Sequence, residues 1–129
     1  MKNILVAEDH PMILKSVEQS LSKAGYNVLT APNGLTAIDL FENNKLDAVI
    51  TDLMMPEASG IDLIKNVRTT NADVPILVMS TVSNETVIVE VLNIGADDYL
   101  RKPFIPKELL QRLEHIFSKN EVKIYSDPR

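Results

Sequence analysis

The 129 residues contain no cysteine and only two histidines, His10 and His115. Without cysteine there is no disulfide scaffold, no thiolate metal site and no cysteine nucleophile. Two histidines so far apart in sequence do not suggest a zinc site. No apolar run approaches the roughly 20 residues that a membrane span requires. The opening Met1-Lys2-Asn3-Ile4 starts no hydrophobic signal segment. No basic stripe marks a nucleic-acid footprint, and eighteen acidic residues against thirteen lysines and arginines leave a net charge of −5. What is there is ordinary for a globular chain: 45% hydrophobic and 24% charged residues, which argues against disorder. The length suits one domain and suffices to bury roughly two thirds of the unfolded surface. Together these limits point to a soluble, acidic cytoplasmic domain with no membrane contact and no direct nucleic-acid binding.

Short apolar runs alternate with longer periodic segments. Ile4-Leu5-Val6-Ala7, Asn27-Val28-Leu29-Thr30, Ala48-Val49-Ile50-Thr51, Ile76-Leu77-Val78-Met79 and Asp98-Tyr99-Leu100 read as strands. Between them lie helix patterns. Met12, Val17 and Leu21 recur behind Pro11, a good first-turn residue, and Gly25 offers a stop. Leu35, Ile38 and Phe41 follow Asn33-Gly34; Ile61, Ile64 and Val67 follow Ser59-Gly60. A fourth helix is expected from Asn84 to Ile94, ending at Gly95. Thr86-Val87-Ile88-Val89 taken alone favours strand, but the repeat and the glycine stop favour helix. Leu109, Leu110, Leu113 and Phe117 form a fifth stripe after Pro106. Five strand-then-helix units imply an α/β fold, a mostly parallel, doubly wound sheet with helices on both faces. Residues 1–118 read as the domain. Residues 119–129, with Val122, Ile124 and Tyr125 at no convincing helical period, read as a tail or the start of a linker.

In such a sheet, ligands bind at the carboxyl ends of the strands. Strand one ends in Glu8-Asp9, strand three in Asp52, strand four in Ser80-Thr81, and strand five runs into Arg101-Lys102-Pro103. One edge therefore gathers three carboxylates, hydroxyls and an ammonium. Clustered carboxylates repel unless a cation is present, and oxygen ligands alone suit a hard divalent ion such as Mg²⁺. A lysine and a hydroxyl beside that ion make a receptor for phosphate oxygens. A carboxylate nucleophile there would form an acyl phosphate. No phosphate loop of the G-x-x-x-x-G-K-[ST] or G-x-G-x-x-G type occurs.

These residues resemble the receiver domain of two-component response regulators. Glu8-Asp9, Asp52-Leu53-Met54-Met55-Pro56 with Gly60, Ser80 and Lys102-Pro103-Phe104 match it in order and spacing, from Lys2 to about Phe117. The resemblance implies the flavodoxin-like fold with five strands in order 2-1-3-4-5 and five helices. It implies Asp52 as phosphoacceptor, with Ser80 and Lys102 binding the phosphoryl group. Asp9, Asp52 and the carbonyl of Met54 would hold Mg²⁺, with Mn²⁺ able to substitute, and Glu8 would act on the metal through water. Tyr99 matches the aromatic switch position, moving inward as Ser80 turns, and Pro103 matches a cis-proline that aims Lys102. The donor would be a histidine kinase or a histidine phosphotransfer protein. Such a domain catalyses only its own phosphorylation and dephosphorylation and is no enzyme toward an external substrate.

Some positions depart from the family pattern. Glu8 stands where aspartate is commoner. Thr81 stands where alanine or glycine is usual, and its bulk should narrow the pocket rim. Met54 puts an apolar side chain at that rim, which counts against an aspartate-nucleophile phosphatase with a general acid there. On the fourth helix, Ile88 and Leu92 are expected on a partner face near Tyr99. A homodimer through the fourth helix, fifth strand and fifth helix would use paired charges. Asp97, Asp98 and Arg112 supply part of that set, while the helix carries Glu85 and Glu90 but no basic residue. A phosphorylation-independent binding module, or a regulatory domain of a DNA-binding regulator or hybrid kinase, are the alternative readings.

Overall fold

The computed structural model describes residues 1–71 and 73–125. Strands and helices alternate: β1 (Asn3–Ala7), α1 (Pro11–Lys23), β2 (Asn27–Ala31), α2 (Gly34–Asn43), β3 (Ala48–Thr51), α3 (Gly60–Thr70), β4 (Ile76–Ser80), α4 (Glu85–Ile94), β5 (Asp98–Arg101) and α5 (Pro106–Tyr125). The five strands form one sheet in the order β2-β1-β3-β4-β5, every neighbouring pair parallel. The doubly wound reading and the strand order implied by the resemblance are both borne out.

Alternate residues along each strand divide the interior in two. Leu5, Val49, Ile76 and Val78 pack with Ala37, Leu63, Ile64, Val67 and Val91 under α2, α3 and α4. Ile4, Val6, Ile50, Leu77 and Met79 pack with Val17, Leu21, Leu109 and Leu113 under α1 and α5. The inner strands are buried on both faces, which is why they read as unbroken apolar runs.

Several sequence-based expectations need correcting. Met12 and Leu35 are exposed, at 77% and 55%, and do not belong to core stripes. Each lies in the first turn of its helix, and the buried stripes are Val17-Leu21 and Gly34-Ala37-Phe41. The chain after Phe117, where no helical period was evident, is helical: α5 runs on to Tyr125. No glycine or proline interrupts Lys119–Tyr125, so nothing in that stretch ends the helix. Residues 126–129 of the expected tail lie outside the described residues.

The β-branched run in α4 is helical because both ends are fixed. Asn84 Oδ1 accepts from Thr86 N–H at 2.8 Å and Val87 N–H at 3.4 Å. Gly95, at φ +132°, terminates the helix in a conformation that a side chain would strain.

Candidate functional site

The ladder of the sheet continues one residue past the ends of β1 and β3 and so fixes the acids. Glu8 N–H donates to Ala31 O and Asp52 N–H to Ala7 O, each at 3.0 Å. Asp52 is thereby held at the carboxyl edge, its residue only 8% exposed. Its Oδ1 accepts from Leu53 N–H at 2.7 Å and its Oδ2 from Lys102 Nζ at 2.8 Å. Lys102 also donates to Glu8 Oε1 at 2.5 Å, and Glu8 Oε2 accepts from His10 N–H at 3.0 Å. Glu8 is almost wholly buried, at 1% exposure. Burial alone would push the Lys102 pKa down. The hydrogen bonds and charges of Asp52 and Glu8 outweigh it and hold the ammonium above its usual range.

The β3–α3 loop lies tight against this edge. Gly60 approaches the carbonyl of Asp52 so closely that a Cβ there would sit 1.9 Å from its oxygen. Glycine is therefore required by contact rather than by dihedral. In the same loop Glu57 and Ala58 take φ of +60° and +136°, conformations that L side chains rarely adopt. The Lys102–Pro103 peptide bond is cis, as the resemblance implies.

Carboxylate oxygens of Glu8, Asp9 and Asp52 lie within 4.8 Å of one another. Asp9 is exposed and the other two are buried. Three oxygen donors on one rim, with no nitrogen or sulfur ligand among them, fit Mg²⁺. Met54 is 69% exposed at the rim. Thr81 is also exposed and lines a cleft of about 400 Å³ with Met12, Ile13, Phe104, Pro103 and Lys102.

Ser80 is buried, and its Oγ accepts from Val82 N–H at 3.1 Å. Tyr99 is already inward, 8% exposed, with its hydroxyl donating to Val82 O at 2.6 Å. The inward step expected of Tyr99 is therefore not displayed here. The expected partner face also changes. Tyr99 is buried and Ile88 half-buried against the core, while Leu92 and Val89 are exposed, at 39% and 54%. Of the charges considered for a dimer, Asp97 pairs with Arg68 at 2.9 Å and Asp98 with Arg112 at 3.0 Å, both within the chain.

Sequence reasoning singled out Glu8, Asp9, Asp52, Ser80 and Lys102, and the fold brings all five to one edge. It missed Val82 and Arg68. Val82 contributes only backbone atoms, which leave no side-chain signature. Arg68 caps the end of α4, and Gly95 was the one signal for that end.

A family model described as the response regulator receiver domain matches residues 4–114. The response regulator MprA of Mycobacterium sp. (strain KMS) is 44% identical over 110 residues, 85% of this chain and 48% of that protein. MprA of Mycobacterium avium is 37% identical over 118 residues, 92% of this chain and 52% of that protein. The chain thus spans about half the length of the curated relatives it matches. Among solved structures, a CheY-like receiver domain protein from Methanospirillum hungatei superposes with a TM-score of 0.90 at 26% identity, covering 95% of this chain and 98% of that one. A CheX–CheY–BeF3–Mg complex from Borrelia burgdorferi gives 0.86 at 26% identity, covering 90% of this chain and 89% of that one. With the match running from β1 into α5, and with the acids, hydroxyl and lysine gathered on the edge where the resemblance put them, the chain belongs to the response regulator receiver domains of two-component systems.

Proposed function

We propose that this chain is a phosphorylation-controlled switch in which Asp52 accepts a phosphoryl group from a histidine kinase or a histidine phosphotransfer protein. The observation that carries the reading is a mostly buried carboxylate, Asp52, with an ammonium at 2.8 Å and two more acids beside it. Asp52 would attack phosphorus in line. The P–N bond of the donor breaks, the imidazole leaves with the electron pair, and an acyl phosphate forms. Mg²⁺ held by Asp9, Asp52 and the Met54 carbonyl would supply positive charge for the transferring group, and Mn²⁺, with the same preference for oxygen ligands, would substitute. Glu8, bonded to Lys102 and to the His10 N–H, would act on the metal through water. Lys102 would follow the charge from Asp52 onto the phosphoryl oxygens. Ser80 would turn its hydroxyl from Val82 toward them.

The catalysis is directed at the chain itself: it forms and slowly hydrolyses its own acyl phosphate and acts on no external substrate. The work is a population shift between two packings around α4 and β5, biased by charge at Asp52. A homodimer through α4, β5 and α5 would rest on Val89 and Leu92 rather than on Asp97 and Asp98, which are paired internally. Among the described residues no helix is long and apolar enough to cross a membrane; a cytoplasmic setting agrees with that and with the donor.

Incubation with acetyl phosphate and Mg²⁺, read by intact mass, tests the reading. One phosphoryl group is expected on the wild type and none on Asp52→Ala. No adduct from the small donor or from a panel of phosphorylated histidine kinases would overturn it.

A further inference from the structure

The two edges of the sheet are finished very differently. At β5 the edge is guarded. Asp98 and Arg101 stand at its two ends. Arg112, reaching from α5, donates to Asp98 Oδ1 at 3.0 Å and to Tyr99 O at 3.4 Å. Charges on an edge strand, and side chains laid over it, both deter pairing with another chain. At β2, which pairs only with β1, there is no such guard. No charged residue occurs from Ala24 to Ile38, in a chain of which 24% is charged.

The backbone groups left open on β2 follow from its ladder. Asn27 N–H donates to Lys2 O and Ala31 O accepts from Glu8 N–H, so the odd-numbered residues turn their peptide groups toward β1. Val28 and Thr30 therefore turn theirs outward, two N–H groups and two carbonyls in all. Among the described residues, nothing bonds to these four. The open row is closed at both ends. Tyr26 N–H is already given to Leu21 O at 3.1 Å, and Pro32 has no N–H to give. The side chains between are apolar and only partly covered. Val28 packs against the core under α1 and α5, and Leu29 against the core under α2, both half-buried.

We propose that β2 pairs antiparallel with β2 of a second copy of this chain, across a two-fold axis at Leu29. In that register Val28 lies opposite the partner's Thr30, and Thr30 opposite the partner's Val28. Each such pair exchanges two hydrogen bonds, so four bonds satisfy the four open groups of each copy. An axis at Val28 or at Thr30 also allows four bonds but strands one carbonyl in each copy. In the first case Thr30 O faces the committed N–H of Tyr26; in the second Val28 O faces Pro32. The edge is thus self-complementary in one register, which selects a second copy over a foreign strand. Leu29 meets its own copy at the axis as a non-hydrogen-bonded pair, where side chains come closest. The contact lies at the opposite edge of the sheet from β5, so it needs no phosphoryl group and leaves the α4–β5–α5 face free. It goes beyond the receiver reading and does not rest on it. Pairing of one short strand makes a small interface, and the association should be weak.

Sedimentation velocity of the full chain, over a concentration series reaching the millimolar range, reads this directly. The wild type should pass from monomer to dimer with and without beryllofluoride and Mg²⁺. Thr30→Pro removes an outward N–H that the monomer does not use. With it go two of the four bonds, and association should weaken about 25-fold, two bonds at about fivefold each. Thr30→Lys keeps every peptide group, sets a charge on the open edge, and should weaken association as well. The chain has no cysteine, so single cysteines report the register. Leu29→Cys should give a disulfide-linked dimer under mild oxidation. Asn27→Cys, which the two-fold sets opposite the partner's Ala31, should not. A wild type that stays monomeric throughout the series would overturn the proposal. So would a dimer that both Thr30 variants leave intact. A dimer that forms only with beryllofluoride would overturn it too and assign the contact to the α4–β5–α5 face. Equal cross-linking of Leu29→Cys and Asn27→Cys would overturn the two-fold at Leu29.

Discussion

Lys102 and Asp52, fifty positions apart in sequence, are joined by a hydrogen-bonded ion pair at 2.8 Å. Glu8 takes a second bond from the same ammonium, so one cation compensates two buried carboxylates. Removing it leaves both uncompensated in a site where charge is costly. Lys102→Met should therefore lower folding stability by about 3 kcal/mol in the presence of EDTA. Millimolar Mg²⁺ should restore part of that loss. Denaturant titrations with and without the metal check it; an equal loss in both would reduce Lys102 to a packing role.

The same pair has an alkaline signature. The folded pKa of Lys102 lies above its usual 10.5 because the bonds and charges of Asp52 and Glu8 overcome the opposing effect of burial. A group raised on folding stabilises fully below its unfolded pKa and loses that contribution as pH climbs through the folded one. The stability gap between wild type and Lys102→Met should thus be flat from about pH 7 to about pH 10 and close above that. Tyr26, also raised by burial and by Glu114, is common to both proteins and cancels in the comparison.

The β3–α3 loop offers two substitutions of opposite sign. Ala58, at φ +136°, is strained in a way glycine is not. Ala58→Gly should stabilise the fold by about 1 kcal/mol, the strain relieved less the entropy glycine costs. Gly60→Ala drives a Cβ into the Asp52 carbonyl. It should cost about 2–3 kcal/mol and also slow phosphoryl labelling, because the clash displaces Asp52 itself. Thermal unfolding and labelling rates, measured together, separate the two.

Thr81 stands exposed beside the site and shares the lining of a cleft with Lys102. Thr81→Ala trims the side chain next to Ser80 without touching a hydrogen bond of the site. Labelling by acetyl phosphate and loss of the label by hydrolysis should both quicken severalfold. If neither rate moves, Thr81 does not gate the pocket.

Much of this was legible in the sequence. The strands read clearly because inner parallel strands are apolar on both faces, as Val49 and Ile50 show. The acids, the hydroxyl and the lysine could be placed together because strand ends share an edge. What escaped has physical reasons too. Met12 and Leu35 have core-like side chains, but periodicity does not reveal that the first turn of a helix is left exposed. Helical residues up to Tyr125 escaped because period alone was used where the absence of a helix breaker was the better guide. Arg68 and Val82 act through main-chain carbonyls and amides, whose partners depend on the fold and on no side-chain pattern.

The sheet that divides the interior also divides the labour. Leu5 and Ile4 are neighbours in sequence yet serve different cores. Substitutions under α1 and α5 should therefore add to those under α4 with little interaction. The side bearing the cleft beside Met12 and the side bearing α4 can then drift independently, each accommodating its own changes. Each face can then take up new core residues without disturbing the packing of the other, provided that the shared edge at Asp52 is left alone.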